Sequence, residues 1–169
     1  MNKKKVIHTL SPIYDDTSQI LLLGSLPSVK SREENFYYAH PQNRFWKVLA
    51  ILFKEPFPTT KQEKTNLVLK HHVAIWDVIH SCYINGSSDA SISDVKANDI
   101  AALIKKTNIK AVFTTGNTAK KYYDKYCYPN TKIEAINLPS TSPANASYSL
   151  EKLVEAYQII LDYLSSSNA

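Results

Sequence analysis

The stretch Asn35-Phe36-Tyr37-Tyr38-Ala39-His40-Pro41-Gln42-Asn43-Arg44-Phe45-Trp46 puts aromatic rings, amides, a histidine and an arginine side by side. Aromatic faces next to amide donors and acceptors are what a site needs to stack a planar base and read its edge. Asn43 and Arg44 precede a predicted helix, whose first backbone amides favour an anion such as phosphate. A structural alternative makes Asn43 a helix cap and His40 a satisfied polar group. For Phe45 and Trp46, a place in the core is expected.

Two other segments have unusual composition. In Gly24-Ser25-Leu26-Pro27-Ser28 the glycine permits a sharp turn and the proline fixes the exit direction, while small residues leave main-chain amides open to a ligand. A plain strand-to-loop turn would look the same. The further glycines of a dinucleotide fingerprint and the Gly-Lys-Ser/Thr of a phosphate loop are missing. Leu138-Pro139-Ser140-Thr141-Ser142-Pro143-Ala144-Asn145 brackets three hydroxyls between two prolines, which suits phosphate oxygens on a stiff loop.

These segments need a scaffold, and the apolar pattern supplies one. Four short runs, Ile20 to Leu23, Val73 to Trp76, Ala111 to Thr114 and Ile133 to Leu138, alternate with helical patterns. That alternation predicts an α/β fold, a three-layer α/β/α sandwich around a mostly parallel four-stranded sheet. Predicted helices cover Phe45 to Phe53, Lys61 to Lys70, Ile100 to Lys106 behind a cap at Asn98 or Asp99, and a stretch through Tyr126 capped by Asn117 or Thr118. A closing helix capped by Ser149 carries the stripe Leu150, Leu153, Val154, Tyr157, Ile160, Leu161 and Leu164, read as core. Ligands of open α/β sheets lie beyond the carboxyl ends of the strands. The loops to inspect are therefore 24–43, 77–93, 116–117 and 139–148.

With 169 residues the chain fits one domain, 1–169, with flexible ends expected at 1–5 and 165–169. It is 44% hydrophobic and 21% charged, the composition of a soluble globular protein. No apolar run is long enough to span a membrane, and no signal-peptide core follows Lys5, so a cytoplasmic protein is expected. Cys82 and Cys127 cannot build a disulfide framework, and no carboxylates and histidines have metal spacing, so neither metal nor cofactor is expected. The net charge of +5, three units of it from Lys3, Lys4 and Lys5, permits a polyanionic partner without requiring one.

The sequence resembles the uracil-DNA glycosylase superfamily over nearly its whole length. The resemblance is carried by Gly24 to Ser28, by His40-Pro41-Gln42-Asn43-Arg44-Phe45-Trp46, by Leu138 to Pro143, and by Ser149 to Tyr157. The segment ending in Trp46 and the closing helix are similar to the mismatch-specific uracil/thymine branch. The superfamily's first loop usually carries Asp or Asn where this chain has Leu26, which cannot bind water. Together with Trp76-Asp77-Val78, Ser81-Cys82 and Gly86-Ser87-Ser88-Asp89, that departure is similar to the hypoxanthine-DNA (deoxyinosine) glycosylase branch. What the resemblance implies is a monomeric base-excision enzyme acting on DNA that contains a deaminated base, with the catalytic role passed to Asn43.

Cleavage of the glycosidic bond passes through an oxocarbenium-like sugar, and the base must first be extruded from the duplex. On this reading Asn43 holds a water through its carbonyl oxygen, contributing geometry more than basicity. Tyr38 or Phe36 is the stacking platform, with Gly24, Ser25, Leu26, Pro27, His40 and Trp76 around the base. Ser28, Arg44, Ser140, Thr141, Ser142 and Pro143 meet DNA. Asp77 either accepts from N1–H of hypoxanthine or caps the next turn. A rival mechanism has Asp77 stabilise the sugar cation while Asn43 orients the base. The competing functions are mismatch-specific uracil/thymine excision, non-catalytic DNA binding on the same fold, and, last, binding of a small nucleotide, for which the three unclustered glycines make no phosphate cradle.

Overall fold

The computed structural model describes residues 3–86 and 88–165. Its first strand, β1 (Lys4–Ile7), is mostly exposed. The second, β2 (Ile20–Gly24), has no polar side chain and is buried along its whole length. A strand without a polar face must be covered on both sides. Helices α1 (Val29–Glu34), α2 (Phe45–Leu52) and α3 (Lys61–Lys70) follow, then β3 (Val73–Asp77) and β4 (Ile79–Ile84). After β5 (Ser93–Ala97) come α4 (Ile100–Lys105), β6 (Ala111–Thr115), α5 (Asn117–Tyr126), α6 (Tyr128–Thr131), β7 (Ala135–Leu138) and α7 (Leu150–Tyr157).

The central sheet has strand order β3-β2-β6-β7 and every pairing in it is parallel. Successive side chains of a strand point to opposite faces, and β2 divides accordingly. Ile20 and Leu22 pack with residues of α2, α3 and α7, whereas Leu21 and Leu23 pack with Ile100, Leu103, Tyr122 and Tyr123 of α4 and α5. The α/β sandwich expected from the four apolar runs is the architecture observed.

Residues 79–97 depart from expectation, because a ligand loop was predicted where β4 and β5 form an antiparallel sheet with β1. In β4 adjacent Ser81 and Cys82 are both buried, which breaks the alternation that would have marked a strand, and β5 alternates only between half-buried and exposed positions. Lys4 and Lys5, expected in a flexible end, pair with Ile84 and Tyr83. The rest of that expectation, at 1, 2 and 166–169, lies outside the described residues, as does Ser87.

Most predicted helix limits hold, and the deviations have local causes. Thr60 and Glu63 form a reciprocal capping box on α3, and Asp99 caps α4 by accepting from Ala102 N–H. Gly116, with φ of 113°, takes the capping position of α5, so Asn117 is already helical. β7 starts two residues later than predicted, after Lys132 leaves α6 in the left-handed conformation. The closing helix tightens into a 3-10 segment, Gln158–Tyr163. Three residues per turn rotate the stripe, so Ile160 stays buried while Leu161 is 40% exposed and does not join the core.

Leu22→Ala is therefore expected to destabilise the fold by about 2–5 kcal/mol, and Leu161→Ala by no more than about 0.5 kcal/mol. Urea unfolding monitored by circular dichroism compares them, and equal losses would contradict the 3-10 rotation.

Candidate active site

The carboxyl ends of β2, β3 and β6 open onto a cleft of about 380 Å³, within the range that accommodates a small planar ligand. Its floor depends on strand register. The β2–β3 pairing sets Gly24 beside Asp77, and a Cβ on Gly24 would lie 2.4 Å from Asp77 Oδ1. Only glycine leaves room for that carboxylate. The backbone of Asp77 is anchored by Asn98, whose Nδ2 donates to the Asp77 carbonyl at 2.8 Å.

Asp77 is 4% exposed, and so is in need of a partner. It has one in His8, 6% exposed, whose Nε2 lies 2.8 Å from Asp77 Oδ2. The His8 backbone N–H in turn donates to the His80 carbonyl at 2.6 Å. Sequence reading placed only His40 among the histidines near the site. His8 escaped notice because it follows β1, far along the chain from Asp77, and no local motif marks it.

Tyr38 borders the cleft from a left-handed backbone position, φ 51°. Its ring stacks on Phe45 at a centroid distance of 3.8 Å, and its hydroxyl is 3.1 Å from Thr115 Oγ1. Burial pushes the Tyr38 phenol above its ordinary range, and the nearby Asp77 charge adds to that shift. Phe36 is elsewhere. It stacks on Trp46 at 5.9 Å under the Lys64 ammonium and does not line the cleft, so of the two proposed platforms Tyr38 alone is placed for the role. Trp76 also lies outside the lining, packed between the two cores with its Nε1 buried and unpartnered. The strand alternation that turns Asp77 toward the cleft turns its neighbour away.

Asn43 borders the cleft with its amide held from behind. Phe45 N–H donates to Asn43 Oδ1 at 2.9 Å, and the Thr141 hydroxyl donates to the same oxygen at 2.8 Å. A backbone N–H only donates, so turning the amide over would set two donors against each other. Both lone pairs of Oδ1 are engaged. The expected water-binding carbonyl oxygen is thus occupied, and Nδ2 is the end of the amide left for a ligand. His40 accepts from Gln42 N–H through Nδ1 at 3.0 Å, which in the neutral ring leaves the proton on Nε2.

Ser25, Leu26 and Pro27 form one wall, and Leu26 also packs on the core at the place where the resemblance led us to expect Asp or Asn. Ser28 lines the same wall, but its hydroxyl accepts from Ser31 N–H and caps α1. Opposite stand Ser140, Thr141, Ser142 and Pro143. Thr141, 1% exposed, holds Asn43 and is not a free phosphate donor. Arg44 is likewise engaged within the protein. Its guanidinium donates to the carbonyls of Ser142 at 2.9 Å, Asn145 at 3.1 Å and Tyr148, clamping the 139–148 loop. The phosphate role expected for Arg44 conflicts with this use of its donors.

Among the described residues no group of three or more His, Cys, Asp or Glu side chains could hold a metal ion, and no helix is long and apolar enough to cross a membrane.

A parallel sheet with a cleft at its carboxyl edge, flanked by a stacked tyrosine and two hydrogen-bonded loops, sets the chain in a class of α/β domains with the site at the strand ends. The chain belongs to the uracil DNA glycosylase superfamily, whose family model matches residues 11–164. A protein of Methanosarcina acetivorans named hypoxanthine DNA glycosylase is 32% identical over 139 residues, covering 81% of this chain and 87% of the relative. One of the same name from Methanosarcina barkeri is 30% identical over 113 residues, covering 66% and 72%. A solution NMR structure from Methanosarcina acetivorans, described as a candidate uracil DNA glycosylase, superposes with a TM-score of 0.76 at 25% identity, covering 91% of this chain and 98% of the other.

Gly24→Ala is expected to displace the Asp77 carboxylate and break its contact with His8, seen as a changed His8 imidazole resonance in NMR spectra of a folded variant. An unchanged resonance would place the carboxylate elsewhere. Arg44→Gln is expected to lose about 1–3 kcal/mol of stability while the salt dependence of duplex binding stays as it was. A salt slope smaller by about one would restore a phosphate contact to Arg44.

Proposed function

We propose that the protein is a monofunctional DNA deoxyinosine glycosylase, a cytoplasmic monomer that hydrolyses the bond between deoxyribose and hypoxanthine in base excision repair. The observation that carries this reading is one cleft offering a buried acceptor, Asp77, and an amide donor, Asn43 Nδ2. Hypoxanthine presents a donor at N1–H and acceptors at O6 and N7. Adenine lacks the N1 proton and carries a donor at N6, so the same pair of groups disfavours it. The names of the two archaeal relatives support the same substrate.

In this mechanism the nucleotide is extruded from the duplex into the cleft, and Tyr38 bounds the space that the base enters. Asp77 lies deep, where the edge of the base arrives, and accepts from N1–H through Oδ1. As the glycosidic bond breaks, electrons pass to the base and positive charge grows on the sugar. Asn43 Nδ2 donates to the departing base, and donors already aimed where charge develops need no reorganisation. The flanking DNA phosphates favour the sugar cation, so water needs little activation before it adds at the anomeric carbon. Leu26 forms apolar wall where a water-binding side chain would otherwise stand. Ser140 and Ser142 border the path of the strand.

Duplexes carrying deoxyinosine, deoxyuridine, deoxyxanthosine or mismatched thymidine distinguish the functions. Hypoxanthine is expected to be released fastest, and Asn43→Ala to lower its single-turnover release by about 10²–10³-fold with duplex affinity retained. Faster release of uracil would favour the mismatch-specific activity, and binding without release of any base a non-catalytic module.

A further inference from the structure

His8 has no place in the reaction as described so far, yet it is buried and directed at Asp77, the buried carboxylate of the cleft. Its Nε2 engages Asp77 Oδ2 at 2.8 Å, its backbone is tied to His80, and its ring lies 6.2 Å from that of Tyr37. The Tyr37 hydroxyl donates to the Ser11 carbonyl at 2.7 Å, so it does not compete for the carboxylate. Asp77 Oδ2 is thereby taken and Oδ1, above Gly24, is the oxygen left to the base.

A carboxylate beside a departing base has a drawback. The base gains negative charge as the bond breaks, and an unpartnered anion next to it would oppose that change by an amount enlarged in a dry site. A proton shared with Oδ2 draws charge away from Oδ1 and lessens the opposition. We propose that His8 is a positioning residue for base release, which through Nε2 fixes the Asp77 carboxylate with Oδ1 toward the base and offsets its charge as the base departs. This role rests on hypoxanthine release being the reaction.

Among the described residues the phenols of Tyr37 and Tyr38 lie near Asp77, both raised by burial and by the Asp77 charge itself. Arg32, His40 and the exposed Asp89 border the same cleft, Arg32 with Nη1 donating to the Pro27 carbonyl at 2.8 Å. Neither phenol can replace the His8 contact, since the Tyr37 hydroxyl donates to the Ser11 carbonyl and that of Tyr38 meets Thr115 Oγ1.

The test uses the full chain and a deoxyinosine duplex under single-turnover conditions. His8→Ala is expected to slow release by about 10- to 100-fold, as when a group orienting a reacting side chain is lost, with duplex affinity unchanged. Added imidazole should restore part of the rate, and His8→Gln, which keeps a side-chain donor, should be less impaired. Combined with Asp77→Asn, His8→Ala should add little further loss, since both act through one contact. A folded His8→Ala protein with the wild-type rate would overturn the role. So would a loss that imidazole does not relieve, or one that multiplies with that of Asp77→Asn. If the wild-type protein releases no hypoxanthine, the proposed substrate and the His8 role fall together; if it does and His8→Ala is unimpaired, only the His8 role falls.

Discussion

The parallel pairing of β2 with β3 puts Gly24 and Asp77 side by side at the carboxyl edge of the sheet, and most of the site follows from that register. A carboxylate lying over a neighbouring strand requires a residue without Cβ beneath it. A carboxylate so buried requires a partner, which draws in His8 from the end of β1. The small antiparallel sheet then has a function beyond covering a face, because the pairing of β1 with β4 is what delivers His8. A slip of one residue between β2 and β3 would turn Asp77 away from the cleft. The same register buries Leu21 and Leu23 on one face and Ile20 and Leu22 on the other, so the apolar core protects the alignment of the polar pair.

The opposite wall is organised by backbone groups. Phe45 N–H and Thr141 fix the Asn43 amide, Arg44 gathers three carbonyls of the 139–148 loop, and the Tyr157 hydroxyl donates to the Pro139 carbonyl at 2.6 Å. Residues that look in sequence like DNA contacts are in part the internal bracing of a rigid loop. In the proposed mechanism that bracing holds a donor aimed in advance at a departing base, which stabilises it without reorganisation.

Much of this was legible in the chain. Ile20-Leu21-Leu22-Leu23 reads as a strand covered on both faces, the apolar spacing from Phe45 to Phe53 reads as a helix, and the segment around Asn43 marked itself by composition. Leu26 announced that this wall would be apolar. The strands β4 and β5 were not legible, because adjacent Ser81 and Cys82 are both buried in β4 and β5 alternates only between half-buried and exposed positions. Phe36 and Tyr38 are two residues apart with equal claims as platforms, and only packing assigns Phe36 to Trp46 and Tyr38 to Phe45 and the cleft.

The sequence by itself determined the layered α/β architecture and the loops that carry the site, since hydrophobic period, caps and turn residues act over a few positions and are written locally. Tertiary structure alone decided the chemistry those loops present. Which end of the Asn43 amide faces a ligand depends on Thr141, whether Arg44 is free depends on three carbonyls of a distant loop, and the partner of Asp77 is a histidine near the other end of the chain. Each is a hydrogen bond between residues remote in sequence. Such bonds are set by strand register and by the burial of polar groups that must find partners, and neither leaves a local pattern to read.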